Sequence, residues 1–481
     1  MKRAAIIGGG IAGLSAAWYL EKARQGGANL EWALFEKSDR LGGVIQTERR
    51  DGFVLEAGPD SFLTVKPDAA RLCQELGLAG ELISSNDEER KTYILVNGRL
   101  VPIPQGLEFM VPTRIWPMVN TSLFSFGTKL RMMAELFSSR GNQARDESVG
   151  EFVRRHFGQE MVDRVAEPLL AGVYGGSAER LSVRAVLPRF IEMERESGSL
   201  VRATLKAKAR ARADAKPGAR PQPLFTSLKN GMQQMVDALA NALPKPSLRL
   251  QQRNVTLRPF SDEWQIESSG NIERFQAILL AVPAPSAAGM LPQAHPSLLE
   301  GLRRIEYTSS VAVALAYDQA DLPAGHGFLV PRSENRKMMA CTFVHKKFLH
   351  RAPDGKKLLR CFFSSSRMPD LLSYSDEDFQ TMAKQELKDI LRLTTQPIFA
   401  RTFRWDRAMA QYETGHLDRV AEMERILTAM PGLHIIGNSF HGIGVTDCIK
   451  SARQAVEQIT SDVSQPRFSL TALGRHSRLF L

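Results

Sequence analysis

Gly8, Gly10 and Gly13 stand in the spacing G-x-G-x-x-G, and an acidic side chain, Glu36, comes 23 residues after the last of them. Glycines so spaced let a backbone turn tightly and approach a pyrophosphate, whose charge then rests on the N-terminus of the next helix. A carboxylate at about that distance can accept hydrogen bonds from ribose hydroxyls. The chemistry these residues can do is to hold a dinucleotide. The elements needed to position them occur in order. The apolar run Ala4–Ile7 has strand length, and Gly8, Gly9, Gly10, Ile11, Ala12 and Gly13 form the turn. Leu14–Glu21 has helical spacing, and a second strand, Leu30–Phe35, delivers Glu36.

The residues after Glu36 decide between dinucleotides. The chain reads EKSDRLGGVIQTERRDGFVLEAGPDSF, with Lys37, Arg40, Gly42, Gly43 and Val44 immediately after the acid. The Arg40–Gly43 turn offers a pyrophosphate a cation and further backbone amides, an extension that a simple nicotinamide dehydrogenase does not need. Near the C-terminus, LHIIGNSFHGIGVTDCIKSARQA repeats the grammar of strand, glycines and helix, with Cys448, Ile449, Ala452, Val456 and Ile459 spaced along one helical face.

The Glu36–Phe62 stretch resembles the FAD-binding signature of the flavin amine-oxidase superfamily. Gly58, Pro59, Asp60 and Ser61 fall where that family's chain passes the flavin. The resemblance implies FAD as cofactor. It places Gly437, Asn438, Ile443, Gly444 and Val445 beside the same FAD, with Val255 near the adenine. The final helix would then direct its positive end at the flavin's pyrimidine edge, where negative charge collects on reduction. The two glycine turns would serve two ends of one cofactor. Trp405, in RTFRWDRAMAQY, matches a tryptophan near the flavin; a buried structural tryptophan is the competing reading. Ser227–Leu243 reads as an amphipathic helix entered through Asn230-Gly231, and strands are expected at Leu248–Leu257 and Ala277–Val282.

Within that superfamily, four stretches resemble the porphyrinogen oxidases of haem biosynthesis: LGGVIQTERRDGFVLEAGPDSF, RKTYILVNGRLVPIPQGLEFMVPT, EPLLAGVYGG and GNSFHGIGVTDCIKSARQA. The resemblance runs from residue 4 to about 460. It implies oxidation of protoporphyrinogen IX or coproporphyrinogen III to the porphyrin in three two-electron steps. Hydride would pass to flavin N5, and molecular oxygen would regenerate FAD with release of hydrogen peroxide. No catalytic side chain is implied, because the protein supplies positioning and electrostatics. A large, apolar, anionic macrocycle calls for an apolar pocket with a cationic rim.

TYILV-Asn97-Gly98-RLVPIP reads as a two-residue hairpin with Arg90 and Lys91 at its entrance. Thr92 stands where the animal and plant enzymes carry a propionate-binding arginine, so Lys91 or Arg90 would have to supply the charge. The resemblance puts Gly172 against the macrocycle and a hairpin over Gly327–Phe348 on its other side, with Phe328, Leu329, Thr342 and Phe343 as lining candidates. The choice between the two porphyrinogens stays open, the basic entrance favouring the more acidic coproporphyrinogen. A flavin amine oxidase or carotenoid-type desaturase is the alternative enzyme, and a non-catalytic escort protein on the same fold the alternative outside catalysis. An amine oxidase would want a second aromatic beside Trp405, for which Phe440 is the candidate.

Composition bounds the rest. A chain of 481 residues, 43% hydrophobic and 24% charged, suits two or three soluble domains. No apolar run reaches the roughly 18–20 residues of a membrane-spanning helix. Gly8–Gly10 interrupt any signal-peptide reading of the start. The cysteines, Cys73, Cys341, Cys361 and Cys448, form no CxxC pair, and His345 and His350 lack helical ligand spacing, so neither a disulfide framework nor a metal site is expected. The net charge of +11 favours anionic partners.

Thr121–Phe137 sets Leu123, Phe126, Leu130, Met133 and Phe137 on one face. A core-facing helix is the simpler reading; in the resembled family the equivalent region can dock on a membrane. Val201–Arg220 carries seven Lys/Arg against Asp214 and reads as a mobile surface insert, with a helix as the alternative. It could touch anionic lipid but lacks aromatics for nucleic acid.

The expected architecture is α/β (α+β overall). A Rossmann-like FAD-binding domain comes from 1–88, 247–290 and 398–465, and a β-rich substrate domain from 222–246 and 291–397. A helical insertion spans 89–221 with a basic mobile loop at 197–222, and 466–481 forms a tail. Location is expected to be cytoplasmic, with a peripheral contact to the inner membrane face and a homodimer left open.

Overall fold

The computed structural model describes residues 1–139, 145–214 and 222–464. Part of the basic insert (215–221) and the whole 466–481 tail lie outside the described residues.

The glycine turns sit at one edge of a parallel five-stranded sheet. Its order is Leu248–Arg249, Leu30–Phe35, Lys2–Ile7, Ala277–Leu280 and Leu433–Ile435. Both faces are buried, which is why these strands read as unbroken apolar runs. Ile6, Leu34 and Leu279 pack under helices Ile11–Gln25, Gln233–Ala242 and Val445–Ser464. Ile7, Phe35, Ile278 and Leu280 face the other way, in one core with Leu257, Trp264 and Phe275 of an antiparallel three-stranded sheet. The strand expected at Leu248–Leu257 is two pieces, Leu248–Arg249 and Thr256–Phe260, because Gln251 and Asn254 between them take left-handed backbone angles (φ 57° and 55°).

A second sheet has seven strands in the order Phe399–Ala410, Tyr307–Tyr317, Lys357–Ser364, Ala340–Phe343, Gly327–Leu329, Thr92–Val96 and Arg99–Pro102. Asn97 and Gly98, at φ 50° and 73°, make the two-residue hairpin turn expected from their types. Helix Asp376–Leu391 covers one face of this sheet through Phe379, Ala383 and Leu387. The other face looks toward Phe53, Leu55 and Ala57.

The helices between Ile115 and Asp214 enclose a core of their own built on Phe152, Phe157, Met161 and Leu181. Here one expectation changes. Of the expected face only Leu123 is buried; Phe126, Leu130, Met133 and Phe137 are exposed, and the buried residue of helix Phe126–Ala134 is Met132, which packs with Phe152 and Met161. The basic stretch is helical over Leu200–Asp214. Buried Glu135 accepts the backbone N–H groups of Leu200 and Val201 and the hydroxyl of Ser199, which fixes where that helix starts.

Candidate active site

Four loops leave the carboxyl ends of the parallel strands: after Ile7, Phe35, Leu280 and Ile435. This is where open α/β sheets bind ligands. The first is a cradle built from missing side chains. A Cβ on Gly13 would lie 1.9 Å from the Gly8 carbonyl oxygen, and one on Gly8, at φ 109°, 2.5 Å from that of Ala281. A Cβ on Gly10 would meet nothing within 4 Å, so this position borders open space. The Gly9 N–H donates to Glu36 Oε2 at 2.6 Å, and Ser38 N–H and Oγ donate to Oε1, which fixes the carboxylate beside the turn. Gly42 N–H donates to Gly9 O, and a Cβ on Gly43 would press within 3.2 Å of the Gly10 Cα. Ile11 and Ala12 are buried, while Lys37 and Val44 are exposed. Turn, acid and second glycine pair are thus one unit, shaped for a pyrophosphate and a ribose. Arg40 departs from its expected part as a free cation, since its guanidinium closes the loop on the carbonyls of Leu41, Gly43 and Ile45.

The C-terminal turn meets the first one. A Cβ on Gly437 would stand 3.6 Å from Ala12 Cβ. Side chains that the sequence did not single out hold this second turn in place. The Tyr412 hydroxyl donates to Asn438 O and accepts the Gly442 N–H, both at 2.8 Å. Tyr307 shares a hydrogen bond with Ser439 Oγ at 2.9 Å. His416, fully buried and stacked on Tyr412 at 4.0 Å, meets the Phe440 carbonyl oxygen through Nε2. Burial pulls the His416 pKa down to about 4, so the ring is neutral and Nε2 is the donor. Gly444 N–H donates to Asp447, which is paired with Lys66 at 2.6 Å; Ile443 and Val445 flank that contact. An acid three positions into a helix was a readable capping signal; the distant tyrosines and Lys66 had none.

The strip carrying Gly58, Pro59, Asp60 and Ser61 is clamped from below. A Cβ on Gly58 would clash with Val44 O at 1.9 Å. Trp405 Nε1 donates to Ala57 O, and Arg360 Nη2 donates to both Ala57 O and Gly58 O. Lys347 binds both Asp60 oxygens at 3.0 and 2.9 Å, and Ser61 donates to the same carboxylate. Despite the cost of burial, Lys347 and Arg360 hold the Asp60 carboxyl well below its usual range. Next to them Arg351 and Glu56, both buried, pair at 3.2 Å.

Strand register sorts the expected lining. Arg360, Thr342, Gly327 and Thr92 are successive partners in one row across the sheet, and Phe362, Ala340, Leu329 and Ile94 form the next row on the same face. Phe328 and Phe343 belong to the intervening parity. They are buried on the opposite face, with each other at 6.2 Å and within the core of helix Asp376–Leu391, so the expectation for both is corrected. Phe362, half-buried on the facing side, was missed. Gly172 is exposed, and a Cβ on it would come within 3.9 Å of Leu329, so these two sequence candidates do meet. Arg332 donates to Glu167, tying the helix that carries Gly172 to the sheet. Arg90 and Lys91 are exposed beside Thr92, with Arg90 loosely paired to Asp87 at 3.9 Å. Val255 lies buried in the core shared with Ile7 and Phe35.

The profile of the flavin containing amine oxidoreductases matches residues 11–460. The chain belongs to that family. Its cofactor is FAD, and the Gly8–Gly13 cradle with Glu36 fits the pyrophosphate and ribose of that group. The chain is similar to the coproporphyrinogen III oxidase of Bacillus subtilis (strain 168), at 33% identity over 95% of this chain and 97% of the relative. It is also similar to the mitochondrial protoporphyrinogen oxidase of Nicotiana tabacum, at 27% identity over 96% and 95%. A crystal structure from Exiguobacterium sp. 255-15, carrying a provisional protoporphyrinogen oxidase name, superposes with TM-score 0.84 at 31% identity, covering 96% of this chain and 99% of that one.

Proposed function

We propose that this protein oxidises coproporphyrinogen III to coproporphyrin III with FAD. Family membership and the relatives' names support a porphyrinogen as the reductant. The observation that carries the finer reading is a one-sided lining: Leu329 and Phe362 share a face of the sheet with the buried cation Arg360, and Gly172 lies against Leu329. That combination suits a bulky apolar macrocycle bearing several carboxylates, and four such groups favour coproporphyrinogen over the two of protoporphyrinogen.

The Gly8–Gly13 turn and Glu36 would hold FAD, which would supply the two-electron acceptor for each of the three oxidations, with molecular oxygen as the proposed final acceptor. The chain's own work is positional. Trp405 and Arg360 fix the Ala57–Gly58 main chain, and Tyr307, Tyr412 and His416 fix the Gly437–Gly444 turn.

The test is porphyrin fluorescence in aerated buffer, with coproporphyrinogen III and protoporphyrinogen IX in parallel. A coproporphyrinogen rate about tenfold the higher, equivalent to roughly 1.4 kcal/mol in the barrier, is expected. The reverse ratio would reassign the substrate, and no acceleration with either would remove the porphyrinogen reading.

No described helix is long and apolar enough to cross a membrane. Trp116, Phe126 and Phe137 are exposed by 75%, 75% and 86%, near the basic Leu200–Asp214 helix, which supports a peripheral contact with anionic lipid. Co-sedimentation with phosphatidylglycerol vesicles, lost on replacing all three by serine, is the expected result; equal sedimentation of both proteins would exclude it.

A further inference from the structure

We propose that Arg360 is a specificity-determining residue that receives a carboxylate of the bound tetrapyrrole, the charge that Thr92 does not supply. This rests on the porphyrinogen reading above and adds a residue to it.

Arg360 is 7% exposed, and only one end of its guanidinium is used. Nη2 donates to the carbonyls of Ala57 and Gly58, while Nε is buried with no partner and Nη1 has none among the described residues. A guanidinium left so incompletely paired in a protein interior is costly unless an acceptor completes it. The neighbouring acids do not do so. Asp60 is taken by both contacts from Lys347 and by Ser61, and Glu56 by Arg351, Thr47 and the Met232 N–H. The cluster holds three cations, Lys347, Arg351 and Arg360, against two carboxylates, Glu56 and Asp60. It therefore carries a surplus positive charge in a place where water is scarce.

Position makes that charge useful to a ligand. Arg360 shares one sheet row with Thr342, Gly327 and Thr92, so the side chains beyond it are two short threonines and a glycine's hydrogen. Phe362, the next residue on the same face, stacks under the guanidinium at 4.8 Å. It offers a ring surface beside the charge, the pairing of apolar plane and cation that a carboxylated macrocycle needs. Across strands spaced about 4.8 Å apart, Arg360 and Thr92 stand three strands apart, roughly 14 Å, which is the scale of a tetrapyrrole with its acid arms.

The test uses flavin-loaded full-length protein. Arg360→Met and Arg360→Lys are titrated with coproporphyrin III by porphyrin fluorescence, alongside KM and kcat for coproporphyrinogen III, FAD content and flavin midpoint potential. Arg360→Met is expected to raise both Kd and KM about tenfold with kcat changed less than about threefold, and Arg360→Lys to recover most of the loss. Unchanged Kd and KM with FAD bound would overturn the proposal. A lowered midpoint potential with unchanged porphyrin affinity would also overturn it, by assigning the charge to the flavin.

If Arg360→Met does not retain FAD, Thr342→Glu decides. That change sets a carboxylate on the cross-strand partner of Arg360 while leaving the Ala57 and Gly58 contacts in place. Weakened coproporphyrin binding supports the assignment and unchanged binding overturns it. Wild-type protein that neither binds coproporphyrin nor turns over a porphyrinogen would instead defeat the functional reading itself.

Discussion

Trp405 Nε1 and Arg360 Nη2 converge on a single acceptor, the Ala57 carbonyl oxygen, at 2.7 and 3.0 Å. They come from strands on either side of Tyr307–Tyr317, so the main chain entering Gly58 is held by the width of the sheet. Because Arg360 stays when Trp405 is lost, Trp405→Phe leaves no orphaned acceptor. The expected cost is about 1 kcal/mol in urea unfolding, with flavin content intact. A loss of flavin in that variant would show the indole to be a cofactor contact beyond its hydrogen bond.

The glycines of the first turn separate into two kinds. Gly13→Ala drives a methyl into the Gly8 carbonyl, so it lowers the melting temperature of the apoprotein as well as flavin content. Gly10→Val enters open space. It is expected to leave apoprotein stability nearly unchanged and to weaken FAD uptake about tenfold or more, measured by adding FAD to protein stripped of flavin. Normal uptake by Gly10→Val would remove this turn from the cofactor site.

Opposite parity makes Phe328 and Leu329 a matched pair of probes. Phe328→Ala empties a fully buried site and should cost about 3–5 kcal/mol in chemical unfolding with KM little altered. Leu329→Ala should cost far less stability and raise KM. An inverted pattern would move the substrate to the other face of the sheet.

These outcomes mark what was legible beforehand. The glycine spacing, the Asn97-Gly98 turn and the apolar face Cys448–Ile459 are local patterns, and each formed the element expected of it. Gly327–Leu329 is too short a strand, with Phe328, Leu329 and Val330 apolar in succession, to announce which residue lies on which face; its partners decide. Thr121–Phe137 had a plausible apolar stripe, but Leu123 lies before the helix and is buried, while the helix packs through Met132 and leaves the rest of the stripe exposed. Arg360, Lys347, Tyr307 and Tyr412 support loops far away in sequence, and no local pattern reports a contact at that separation.

Neutral His416 gives the second turn a pH limit. Its folded-state pKa, about 4, lies below the ordinary 6.5 because the ring is buried, with Arg419 and His441 adding to the depression and Asp146 opposing it. The unfolded state therefore binds a proton first. The contribution is fully present above about pH 6.5 and is lost as pH falls toward 4, reaching about 3 kcal/mol below it. FAD release followed by fluorescence should rise over that window, and His416→Gln should flatten the rise. An unchanged profile in the variant would assign the acid sensitivity to another group.

The order of the parallel sheet also governs how the enzyme is made. Its edge strand, Leu433–Ile435, pairs with Ala277–Leu280, and the Val445–Ser464 helix lies on Ile11–Gln25. The Lys2–Ile7 strand and the Ile11–Gln25 helix thus wait for segments more than 400 residues later before their neighbours are complete. Loop closure over such spans is slow. Holoenzyme formation accordingly waits for the Val445–Ser464 helix. A nascent chain halted anywhere before the C-terminal helix exposes the apolar side of its own first helix, a surface for chaperones or aggregation rather than for FAD.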